Sequence, residues 1–160
     1  MINNFPDAAK QLLNALNEST AALVALLQQE YDVLKKRDTA ELIDLTSEKQ
    51  ALVDLLDILN KDWLDCLKSA NIEISINGIR QALEAADAQT QLGLASQWQH
   101  LSENAKACQR QNTINGTVLE LRHHTTQFAL DILNGSPANN TYGPTGKTSN
   151  DGNNNPLAKV

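Results

Sequence analysis

The chain has 160 residues, 41% of them hydrophobic and only 4% aromatic, with a formal net charge of −6. That length supports one domain with a real core, and scarce aromatics beside abundant Ala, Leu and Gln favour helix over sheet. The acidic balance argues against a nucleic-acid binder and against adsorption to anionic lipid, both of which want a basic face.

The opening MINNFPDAAK shows no basic segment followed by an apolar run. Nor does any apolar run approach the ~20 residues of a membrane span. A soluble, cytoplasmic protein without stable membrane insertion is expected.

A first helix is expected from Pro6–Asp7, where Pro suits a first turn and Asp the positive helix end. Its apolar face runs Ala9, Leu13, Leu16, Thr20, Leu23, Leu27, Tyr31, Leu34, widened by Leu12, Val24 and Leu26. Lys35, Lys36 and Arg37 suit its C-terminus. Asp38 then opens a D-x-x-E capping box with Glu41. The short joint predicts an antiparallel hairpin. One continuous helix remains open, because no Gly or Pro breaks this segment.

The second helix carries a heptad seam: Leu42, Leu45, Lys49, Leu52, Leu56, Leu59, Trp63, Cys66, Ala70. Lys49 is its one charged member. The expectation is a packed stem with the ammonium in water, with a buried register-setting role as the alternative. Residues 71–77, NIEISIN, alternate like a strand, but no second strand candidate exists to pair with them. They are read as an extended connector that drops Ile72, Ile74 and Ile76 onto the bundle end. Asn77 is expected to cap a short third helix with Ile79, Leu83 and Ala86 inward. Only Thr90 and Gly93 argue for a break before the next helix.

Residues 91–134 read as one long helix with two seams. Leu94, Trp98, Leu101, Ala105 and Cys108 form the first, in heptad steps. Ile114, Val118, Leu121, Thr125, Phe128 and Ile132 form the second. The interval from Cys108 to Ile114 is six residues. The second stripe is therefore rotated by about 100° from the first. Either it packs on the first two helices as core, or it is free to take an amphipathic helix from a partner.

From residue 135 the composition shifts: four of the seven glycines, three of the four prolines and six asparagines fall there. Such a segment buries too little apolar surface to offset its ordering entropy, so a flexible tail over 135–160 is expected beyond a helical domain over 1–134.

Chemistry is sparse. There is no Cys-x-x-Cys, phosphate loop or G-x-S-x-G. Glu120 and His123 match one E-x-x-H of a di-iron bundle, but the second such motif is missing, so His123 and His124 read as surface residues. His100 loosely fits a histidine phosphotransfer domain, although Glu103 would repel phosphate. Cys66 and Cys108 read as small seam residues. No catalytic residue, metal site or cofactor is expected.

In combination, several segments resemble one family. The run from Leu23 to Leu59, through Asp38, Lys49 and Leu52, is similar to the opening of the FlgN-type flagellar export chaperones. The Asn-rich CQRQNTINGTVLE, with Asn112, Asn115 and Gly116, resembles that family's middle segment. LNG…TYGPTGKTS, with Tyr142, Gly143 and Gly146, resembles its tail. The resemblance implies a non-enzymatic bacterial cytosolic chaperone without ATP hydrolysis. Its clients would be hook-associated proteins, bound through their amphipathic C-terminal helices. It would keep them from premature assembly and deliver them to the flagellar export apparatus. It also implies client contact toward the C-terminal part, where the stripe from Ile114 lies.

The sequence therefore predicts an all-α protein: an antiparallel helical bundle or coiled-coil hairpin with a long C-terminal helix and a disordered tail. The alternatives are a phosphotransfer domain and a self-associating coiled-coil adaptor.

Overall fold

The computed structural model describes residues 4–134. The expected tail, residues 135–160, lies outside them. Four helices follow in order: α1 (Phe5–Lys36), α2 (Thr39–Ser69), α3 (Ile76–Thr90) and α4 (Leu94–Leu133). Among the described residues there is no strand, and no helix is long and apolar enough to cross a membrane.

Pro6 sits in the first turn of α1 beside Asp7, and Lys35 and Lys36 in its last, as the helix dipole favours. Arg37 takes a left-handed conformation with φ 62° and returns its N–H to the Val33 carbonyl. Asp38 is extended, and its carboxylate accepts from the Glu41 N–H at 3.0 Å. Two residues thus reverse the chain without Gly or Pro, and the hairpin stands in place of one continuous helix. Among the described residues, Glu41 makes no return bond, so only half of the capping box forms.

The third helix starts earlier than expected. Ser75, not Asn77, is its cap, with Oγ accepting from the Gly78 N–H at 3.0 Å. Gly78 is required there, because a Cβ would lie 2.7 Å from the Glu73 carbonyl oxygen. The cap ends the alternating pattern at Ile74. Of the three isoleucines, Ile72 packs against the core, whereas Ile74 and Ile76 are exposed.

α3 and α4 are separate helices. Gln91 and Gly93 both adopt positive φ. The Asp87 carboxylate spans the break, accepting from the Leu94 N–H at 2.7 Å and the Ala95 N–H at 2.8 Å. One side chain thus satisfies two orphan donors at the start of α4.

Two compact units are distinguished among the described residues, one up to Leu119 and one from Glu120 onward, so α4 contributes to both. In the first, Ala9, Leu13 and Leu16 of α1 pack with Trp63 and Leu67 of α2, Ile79, Leu83 and Ala86 of α3, and Leu94 of α4. The expected inward trio of α3 is buried here. Trp63 and Trp98 stack with ring centroids 5.8 Å apart, tying α2 to α4. A smaller cluster of Leu26, Val33 and Leu45 closes the α1–α2 hairpin near its joint.

Within the first unit, α4 runs parallel to α1 and antiparallel to α2. Asn17 of α1 donates to the Gln97 carbonyl, Asn104 to the Thr20 hydroxyl, and Asn115 to the Leu27 carbonyl. Sequence position rises together on both helices.

Candidate partner-binding face

The expected first seam of α4 is close to the observed one, with one substitution. Leu94, Trp98, Leu101 and Cys108 face inward, but Ala105 is exposed and Asn104 takes its place. The inward face does not break after Cys108. It continues through Gln111 to Asn115, in the heptad steps that set its first half.

Asn115 is 1% exposed. Its amide donates to the Leu27 carbonyl at 2.8 Å and to the Glu30 carboxylate at 2.7 Å, while its carbonyl accepts from Gln111. The other Glu30 oxygen accepts from the Lys49 ammonium. Lys49 therefore does not simply reach water: it closes an ion pair with a carboxylate that is 4% exposed. This polar layer joins α1, α2 and α4 and uses nearly every donor and acceptor it buries.

Because polar residues occupy the seam, the apolar stripe lies elsewhere on α4. In the first unit, Ile114 is exposed and Val118 is half-buried. In the second, Leu121 is 62% exposed and Phe128 55%, and Thr125 and Ile132 are exposed as well. None of the six residues belongs to a core cluster. Thr125 fits an apolar stripe because its hydroxyl is satisfied within the helix, donating to the Leu121 carbonyl at 2.9 Å. From Glu120 onward, the side-chain hydrogen bonds of α4 are internal, those of Thr125, Thr126 and Gln127.

The stripe understates how apolar this segment is. Leu119 and Leu130 are exposed too, on turns about 140–160° from Ile114. Both fall outside the stripe counted from Ile114.

His100 is exposed, with Glu103 one turn away. His123 and His124 are exposed neighbours, their rings 6.4 Å apart. Among the described residues, no group of three His, Cys, Asp or Glu side chains can hold a metal ion. Burial pushes both the Cys66 and Cys108 thiols up, partly offset at Cys108 by a backbone hydrogen bond, so little nucleophilic thiolate forms. A groove of about 290 Å³ lies between α2 and α4 over Leu23 and Leu27. Its one charged group, Lys49, is already engaged by Glu30.

A family model for FlgN protein matches residues 1–150. No curated protein and no solved structure matches the chain. The matched span takes in all four helices and both apolar surfaces of α4, and the chain belongs to the FlgN family of flagellar export chaperones.

Proposed function

We propose that this protein is a cytosolic, non-enzymatic chaperone that receives the amphipathic C-terminal helices of hook-associated proteins on α4. There it would keep them from premature assembly until the flagellar export apparatus takes them. The observation that carries this reading is the stripe Ile114, Val118, Leu121, Thr125, Phe128 and Ile132, exposed at every position but the half-buried Val118. It spans 19 residues of one helix, about 27 Å from first to last at 1.5 Å per step. That length matches five turns of a client helix laid along it.

The electrostatics fit such a client. α4 carries three acidic residues (Glu103, Glu120, Asp131) and three basic ones (Lys106, Arg110, Arg122). A neutral, apolar face selects for an apolar seam rather than for charge. Helices destined to polymerise carry such a seam, and covering it prevents association.

The test pairs Val118→Asp with Phe128→Asp. Both residues lie outside the core clusters, so circular dichroism and thermal melting should stay near wild type, while hook-associated proteins are no longer retained in a pull-down. Undiminished retention would place the client elsewhere. Collapse of the fold would make the stripe core.

A further inference from the structure

A second apolar face lies on α2, away from its seam. Ile43 is 63% exposed, Ile58 59%, and Leu55 is exposed as well. With the exposed Ala51, these residues fall within about 120° of one another around the helix. The seam residues Leu45, Leu52, Leu56 and Trp63 occupy the far side, turned to the core. From Ile43 to Ile58 the face runs about 22 Å, four helical turns.

Charge says what fits there. α2 carries seven carboxylates and three lysines, whereas α4 is balanced. Asp44, Glu48, Asp54 and Asp62 are exposed among the apolar residues of this face. Lys49 is turned away to Glu30, and Lys68 pairs with Asp65 at 3.5 Å. Lys61 is the remaining cation of the helix. The same face on a second copy would meet like charge, and an anionic lipid surface would be repelled.

We infer that the outer face of α2 is a docking surface for a basic amphipathic helix of a partner protein. Apolar side chains of that helix would seat on Ile43, Leu55 and Ile58, and flanking Lys or Arg would meet Asp44, Glu48, Asp54 and Asp62. This surface lies on another helix than the stripe on α4 and differs from it in chemistry, acidic where α4 is balanced.

Two synthetic helical peptides test this on the full chain. Both carry the same leucine ridge, one flanked by Lys and Arg, the other by Glu. Fluorescence anisotropy should show the basic peptide binding at least tenfold more tightly at 50 mM NaCl, with a smaller preference at 300 mM. Ile43→Ser with Ile58→Ser should weaken it at least tenfold without altering the melt. The triple Asp44→Asn, Asp54→Asn, Asp62→Asn should do the same. A control of equal charge change elsewhere, Asp32→Asn, Glu103→Gln, Asp131→Asn, should not. Equal binding of the two peptides, an equal loss in the control, or no loss in the Ile43/Ile58 variant overturns the proposal. So does loss of peptide binding in Phe128→Asp, which would assign the peptide to α4. A dimer that dissociates on Ile58→Ser would instead make the face self-associating.

Discussion

Glu30 is a carboxylate nearly closed off from water, and two residues distant in sequence make that tolerable. Lys49 supplies the counter-charge, and Asn115 supplies a directed amide while also reaching the Leu27 carbonyl. Asn115→Ala removes both bonds and leaves Glu30 partly unpaired, at an expected cost of about 2–3 kcal/mol. Urea denaturation should show it as a lower midpoint with unchanged slope. Asn112→Ala, at a neighbouring exposed position, should stay within about 0.5 kcal/mol. Replacing the whole layer at once is a different matter. Glu30→Met, Lys49→Met and Asn115→Leu together should recover most of the loss, because no buried charge remains to be compensated. A triple variant as weak as Asn115→Ala would mean that shape rather than charge holds the layer.

Each helix boundary depends on a local device, and those devices differed in how readable they were. Asp38 is legible because Asp three residues before Glu is a capping pattern within one segment. Ser75 is harder, because Ser75 and Asn77 are both good caps, and the choice fell to the close approach of Gly78 to the Glu73 carbonyl. Asp87 is not legible as a cap at all. It sits inside α3, seven residues before the first N–H that it serves. Asp87→Ala should free two N–H groups at the start of α4 and cost about 0.5–2 kcal/mol. Hydrogen exchange should speed up first at Leu94 and Ala95. Protection unchanged there would show that water serves these donors equally well.

At the scale of the molecule, α4 contributes to two compact units. The first holds the four-helix core and the polar layer, and the second carries most of the exposed stripe. A chain ending after Leu119 keeps Asn115 and its partners. It should stay helical, melt cooperatively and bind the basic peptide on α2, yet fail to retain hook-associated proteins. Continued retention would move the client site into the first unit. Ending the chain before Ile114 is a poorer test, since losing Asn115 would weaken the fold by about 2–3 kcal/mol and mask the effect on binding.

By itself the sequence determined the all-α class and the seam of α2, and its Asp38 capping pattern favoured a hairpin while leaving one continuous helix open. All of these rest on local propensity, capping and a 3.5-residue apolar period. It also placed a second apolar stripe from Ile114, because the six-residue interval after Cys108 is simple arithmetic. Only the tertiary structure decided which register of α4 faces inward. The inward register runs through Asn104, Gln111 and Asn115, which apolar periodicity counts as surface. Asn115 is held there by the Glu30 carboxylate of α1, itself paired with the Lys49 ammonium of α2, while Asn104 meets the Thr20 hydroxyl and Gln111 bonds Asn115. That choice, made by polar partners more than eighty residues apart, is what leaves Ile114 off the seam.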